Sequence, residues 1–422
     1  MRTIVGCLLA MSLPGAVRAA DPLPEGDAGI AAGYPNDEGI GGDPAVLLVE
    51  DFESYTDATE LWNTWDNVFQ QDQVRIAGEP QNVWAGAQSV EMTLPQQESE
   101  LSNALAKVVA PEPDVLFLRY YSKFMPPFDV VGSSHNGSWI SSHYEDENGQ
   151  STPGIPADGT NKFLVAYENW RGEPETASPG LLNVYVYHPE QRDLYGDHFF
   201  PTGLVSPNTS LPFDFGPDFV PRRDVIQELD RWYCYEVMVQ ANTPGQRDGR
   251  IAFWIDGVLA MDFMNLRLRD VDTLTIDRFG VGFHAGSNPN GEQKKWYDNI
   301  VAADAYIGPM FVPGVGDTGA DDTTDGTSAT ATDDGGDTSS ASTSASAEDA
   351  GPSTNADADG EGSSDGDTSA PHEDDADSGC SCTAAGEPRW PALACLPIAV
   401  VVALRRRRSS AQRSAPRGYT RR

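Results

Sequence analysis

The stretch from about residue 45 to residue 309 predicts an all-β domain, an antiparallel sandwich or jelly roll, on three observations. Runs of four to eight residues rich in aromatic and β-branched side chains recur along it, many alternating apolar with polar as half-buried strands do. Clusters of Gly, Pro, Asn and Asp separate these runs at short spacing, which is the pattern of many strands in one large domain. Helical periodicity is confined to two short segments, 58–64 and 222–230.

Taken in order, the strand candidates begin with Ala45-Val46-Leu47-Leu48-Val49 and with Val115 to Tyr121, then Leu182 to Tyr187. Trp232 to Val239, Arg250 to Ile255 and Gly280 to His284 follow. Asp256-Gly257 stands between Trp254-Ile255 and Val258-Leu259, and an Asp-Gly pair between two apolar runs is a strong hairpin signal. One cysteine, Cys234, falls in this domain, so no internal disulfide supports it and its size must.

The segments on either side read differently. Met1-Arg2, an apolar run from Ile4 to Leu13 and Ala16-Val17-Arg18-Ala19-Ala20 have the parts of a secretory signal peptide, expected to span 1–20. Residues 21–44, rich in Gly, Pro, Asp and Glu, read as a leader linker. From 310 to 379 the chain becomes an acidic Asp/Thr/Ser/Gly stalk, with about 18 acids and no Lys or Arg after Gly314. Such a segment lacks the apolar side chains to offset the entropy of ordering, and disorder is expected. It supplies about half of the net charge of −36, so the acidity says little about what the domain binds. No basic surface for nucleic acid is visible, and nucleic-acid binding is not expected.

Residues 380–422 carry Cys380-Ser381-Cys382, a short apolar run from Trp390 to Leu404, and Arg405 to Arg408. This tail resembles the myxobacterial carboxy-terminal sorting signal. The resemblance implies an exported protein held at the cell surface or outer envelope, with the tail as its membrane contact. A plain single-pass anchor predicts nearly the same location.

Within the domain, Val49-Glu50-Asp51-Phe52-Glu53-Ser54 opens a series of motifs. Asp230-Arg231-Trp232-Tyr233-Cys234-Tyr235-Glu236, Trp254-Ile255-Asp256-Gly257 and Trp296-Tyr297-Asp298-Asn299-Ile300-Val301 continue it. That order resembles the concanavalin A-like lectin/glucanase jelly roll, and more narrowly the polysaccharide lyases of the alginate and glucuronan type. The resemblance implies a domain facing an acidic polysaccharide. Its motifs build the scaffold rather than the cleft.

A lyase of this kind removes a proton alpha to a uronate carboxylate, so it needs a base and a group that neutralises the carboxylate. Arg119, Tyr121 and Lys123 alternate on one face of a strand. In the lyases that the domain resembles, a lysine on a corresponding strand is proposed to act in catalysis, which makes Lys123 a candidate, with Arg119 as carboxylate clamp. A solvated strand face is the plainer reading. The segment Gly132 to Tyr144 adds His143 as a base candidate, His135 and Asn136 as carboxylate neutralisers, and Trp139 as a stacking platform for a sugar ring. A loop that satisfies its own backbone is the alternative there. His188, His198 and His284 read singly as structural histidines, His284 with more weight because a Gly-Ser-Asn loop follows it.

Asp51, Glu53 and Asp298 are candidate ligands of a structural calcium ion, since first and last strands lie close together in this fold class. Edge-strand solvation is the alternative. No pair of carboxylates is placed for glycoside hydrolysis, and neither a nucleophile elbow nor a phosphate loop is present. The expectation is a surface-anchored carbohydrate-interacting protein, in the sharper form a lyase acting by β-elimination. A non-catalytic binding or adhesion module and a structural envelope protein stand as alternatives, and whether the chain is an enzyme is left open.

Overall fold

The computed structural model describes residues 21–313, apart from 133, 147–149 and 208–212. The signal peptide, most of the stalk and the sorting tail lie outside the described residues, and the expected surface anchoring lies there with them. Among the described residues no helix is long and apolar enough to cross a membrane.

Seventeen strands are described. The first eight are Val46–Glu50 (β1), Asn67–Phe69 (β2), Val74–Ala77 (β3), Ser89–Leu94 (β4), Leu101–Val108 (β5), Val115–Phe124 (β6), Ser134–His135 (β7) and Ser138–Ser142 (β8). Phe163–Trp170 (β9), Leu181–Tyr187 (β10), Asp197–Phe199 (β11), Val205–Ser206 (β12) and Tyr233–Gln240 (β13) follow. Gly249–Ile255 (β14), Val258–Leu266 (β15), Arg278–Ala285 (β16) and Gln293–Ala303 (β17) complete the set. They form two antiparallel sheets. One has eight strands in the order β15-β14-β13-β6-β17-β4-β3, with β1 paired to β17. The other has nine in the order β12-β11-β10-β9-β8-β16-β5-β2, with β7 paired to β16.

The chain is thus the antiparallel sandwich its sequence predicts, and alternation along each strand explains its core. Leu116, Leu118 and Tyr120 of β6 and Val237 and Val239 of β13 face Val165 and Tyr167 of β9 and Val281 and Phe283 of β16. Asp256-Gly257 forms the predicted hairpin, with φ of 49° and 76° at its two residues and Ile255 opposite Val258. Positive φ at both central positions gives the turn the twist of the strands it joins.

Two local expectations differ. The first helical segment is a 3-10 helix, Ala58–Asn63, with Asp57 accepting from Thr59 N at 2.7 Å. The second, 222–230, is not helical, because tertiary partners take its backbone groups. Val225 O accepts from Leu182 N, Arg222 N donates to Pro201 O, and Glu228 N donates to the Tyr233 hydroxyl.

The larger departure concerns residues 21–44. Rather than a linker, they form a layer over the outer face of the eight-stranded sheet. Trp254 Nε1 donates to Pro24 O at 2.9 Å, Ala31 N to Ile307 O at 2.8 Å, and Ala31 and Ile40 pack with Trp254, Phe117 and Ile307 as a second core. Gly29 is required at this contact, since a Cβ there would lie 2.2 Å from Ile307 O. Their Gly/Pro-rich composition gives irregular backbone, but irregular backbone docks wherever a sheet face needs covering.

Glu236 of β13 is buried on the same sheet face, beneath residues 307–308. Its carboxylate accepts from Ile307 N and Gly308 N, both at 2.7 Å. Burial pushes its pKa up to about 7, against the pull of those two N–H groups and of Arg119. A carboxyl raised in the folded state binds its proton there more tightly than in the unfolded chain. Stability therefore falls as pH rises from about 4.5 to 7, by on the order of 2–3 kcal/mol from this group. Urea denaturation at pH 5 and pH 8 checks this: Glu236→Gln removes that share of the decline, and an unchanged slope would refute it.

Candidate functional site

The outer face of the nine-stranded sheet carries the cleft. In β9 the residues Phe163, Val165 and Tyr167 enter the core, which turns Leu164, Ala166, Glu168 and Trp170 outward. Leu164 and Ala166 pack with Tyr185 and Tyr187 of β10 and with Trp139 and Tyr144. The resulting cleft measures about 330 Å³ and is also lined by Ala104 and Ala106 of β5, Gly282 and His284 of β16, and His135, Asn136 and Glu168. Small residues on the central strands give the floor and large aromatics the walls. Trp139 lies on Gly280 and Gly282, where a Cβ would come within 2.5 and 3.0 Å of its ring.

At the cleft floor His135 Nδ1 is bonded to Glu168 Oε2 at 2.5 Å. Glu168 is 2 % exposed, whereas 31 % of the His135 side chain remains open. Among the described residues none hydrogen-bonds to His135 Nε2. His284 stacks on His135 with ring centroids 5.4 Å apart, and Tyr185 lies 4.9 Å away on another side. His198 Nδ1 stands 3.4 Å from Glu168 Oε1 but is itself held by Asn183 Oδ1 at 2.9 Å, and Trp170 stacks on its ring at 4.8 Å. Glu168 Oε1 therefore has no hydrogen bond among the described residues.

The electrostatics separate the two stacked histidines. Burial pulls His135 down, but the charge and hydrogen bond of Glu168, with a smaller push from Glu100, lift it above the usual imidazole value. Burial pushes the Glu168 carboxyl up, and His135 and His198 more than offset this and keep it ionised. His284 is driven to about 3 by burial and by its neighbour His135. Two stacked rings repel each other when both are protonated, and the Glu168 carboxylate favours the proton on His135 over His284.

The sequence candidates fall in three places. His135, Asn136 and Trp139 line this cleft. Asn136, however, donates to Asn169 O at 2.8 Å and accepts from Asn169 N at 2.9 Å, so its amide joins two backbone segments. Arg119, Tyr121 and Lys123 do share a strand face, but it is the outer face of the other sheet. Arg119 is fully buried and paired with Asp37, Tyr121 stacks on Trp84 at 4.4 Å, and Lys123 binds Asp230 at 2.8 Å and Gln81 O. A strand's alternation says which side chains share a face but not which side of the sandwich that face is on. His143, just past β8, is absent from the cleft lining; its backbone N donates to Asp277 and its ring is half-exposed.

Asp51, Glu53 and Asp298 face backbone amides. Asp51 accepts from Glu53 N, Glu53 from Ala87 N and Gln88 N, and Asp298 from Trp84 N, Ala85 N and Asn299 N. Burial pushes Asp298 up to about 7. Among the described residues no group of three or more His, Cys, Asp or Glu is arranged to hold a metal ion. Sequence reasoning missed Glu168 altogether. The available signal was one acid inside the otherwise uncharged strand Phe-Leu-Val-Ala-Tyr-Glu-Asn-Trp, at an outward position.

Fold and site together define an antiparallel β-sandwich with an aromatic-walled cleft and a carboxylate-held histidine on one sheet face. No family model matches the sequence, and no curated protein matches it either. Among solved structures, an alginate lyase is similar over 62% of this chain and 98% of its own, at 18% identity and a TM-score of 0.46. A marine alginate lyase from Aplysia kurodai matches over 62% and 100% of the two chains, at 11% identity and a TM-score of 0.43. The endo-beta-1,4-glucuronan lyase of the fungus Trichoderma reesei matches over 61% and 95%, at 14% identity and a TM-score of 0.40. At these identities no side-chain role passes from those proteins to this one.

Proposed function

We propose that the chain binds a uronate-containing polysaccharide along the outer face of the nine-stranded sheet and cleaves it by β-elimination, with His135 as the base. The observation that carries this reading is the His135–Glu168 pair: a buried carboxylate holds Nδ1 and directs Nε2 away from itself, on a ring open to the cleft. A carboxylate behind a histidine fixes its tautomer and stabilises the imidazolium that forms when the ring takes a proton. In the reaction neutral His135 takes the proton alpha to the uronate carboxylate. The C4–C5 double bond forms as the C4–O4 bond breaks, and the imidazolium returns the proton to the leaving oxygen. The Trp139 ring, lying on Gly280 and Gly282, supplies an aromatic surface in the cleft wall for a sugar ring. No calcium ion takes part in this scheme.

The test is turnover by the full chain on a panel of uronate-containing polysaccharides, followed by the ultraviolet absorbance of the unsaturated product. Absorbance that rises with the wild type and not with His135→Ala is expected. Binding across the panel with no rise would leave a non-catalytic carbohydrate-binding module instead.

A further inference from the structure

The cleft holds acids at both of its ends and, among its described lining residues, no Lys or Arg. Strand β16 runs along the floor, and the two ends of that strand locate the acids. At one end His284 lies 3.8 Å from Glu100, whose side chain is half-exposed. At the other, six residues away, Arg278 lies 3.5 Å from Glu145, which is 6 % exposed. That separation is about 20 Å of extended strand, a length that takes several sugar rings. Between the acids stands the proposed base His135, with the buried Glu168 held behind its ring. An exposed carboxylate such as Glu100 accepts from a hydroxyl and repels another carboxylate.

From this arrangement we infer that the substrate is a mixed glycan in which each uronate is flanked by neutral sugars, and that Glu100 excludes a uronate from the neighbouring position. The inference rests on the function proposed above and narrows its substrate class. A homopolymer of uronates brings a carboxylate to every ring, and the ring seated beside His135 at the His284 end meets Glu100. An alternating chain presents hydroxyls there, which the half-exposed Glu100 accepts. Glu100 thus acts through like-charge rejection, while His135 receives the single acidic ring.

The experiment compares kcat/KM of the full chain, and its affinity by gel retardation, on a homopolyuronate and on a glycan alternating uronate with neutral sugar. Wild type is expected to prefer the alternating glycan at least tenfold. Glu100→Gln is expected to raise kcat/KM on the homopolymer about fivefold, the size of one water-screened unit-charge repulsion at contact, and to leave the alternating glycan within twofold. Equal or better use of the homopolymer by wild type, or no gain in Glu100→Gln, overturns the inference and leaves the lyase reading standing. Neither binding nor cleavage of either glycan overturns both.

Discussion

His135→Ala is expected to lower kcat by about 10²–10⁴ with little change in KM, because a positioned base contributes that much to a proton transfer. Its behaviour with pH distinguishes a base from a structural residue. His135 must be neutral to accept a proton, so the rate rises with pH through its raised pKa. Glu168 is a positioning residue that acts through His135, and its negative charge is what lifts that pKa. Glu168→Gln therefore moves the acid limb of the pH–rate profile to lower pH, while the weaker base it leaves lowers the plateau. A limb that stays in place in Glu168→Gln, or a His135→Ala variant with wild-type kcat, would rule out this assignment.

Asp37→Ala is expected to cost about 3–5 kcal/mol of stability, a large fraction of what a domain possesses. Arg119 has no exposed side-chain surface, and its guanidinium donates to both Asp37 oxygens and to Asn299 O, the latter at 3.4 Å. Loss of Asp37 leaves a buried cation with one backbone carbonyl. Arg119→Met combined with Asp37→Ala is expected to recover most of the loss, since an apolar side chain of similar reach needs no counter-charge. Urea midpoints of the single and double variants decide the matter. A single variant within about 1 kcal/mol of wild type would show that the leader layer does not keep Arg119 dry. The pair lies on the sheet opposite the cleft, so folded molecules of the double variant retain wild-type kcat.

The two variants lie on opposite faces of the sandwich, and that division is what the sequence left undecided. Arg119, Tyr121 and Lys123 follow one another at a spacing of two in both readings. In the structure Asp37, Trp84 and Asp230 meet them from segments 82, 37 and 107 positions away in the chain, and no local pattern announces such partners. The same limit hid Glu168. Its neighbour His135 is 33 positions distant, and only the pairing of β7 with β16 and of β8 with β9 brings the two side chains to one floor.

What the sequence determined by itself was the sheet class, the positions of several long strands and the Asp256-Gly257 hairpin. Each rests on short-range rules: the period-2 burial of a pleated strand, and the left-handed backbone that an Asp-Gly turn tolerates. Trp139 and His135 were legible as candidates because they stand in a polar, Gly/Ser-rich segment that leads into a strand. The tertiary structure alone decided three things: that residues 21–44 are a structural layer, which sheet face is open, and which histidine is paired with a carboxylate. All three depend on contacts between segments far apart in the chain, where face and partner are set by how two sheets stack and not by any residue's neighbours in sequence.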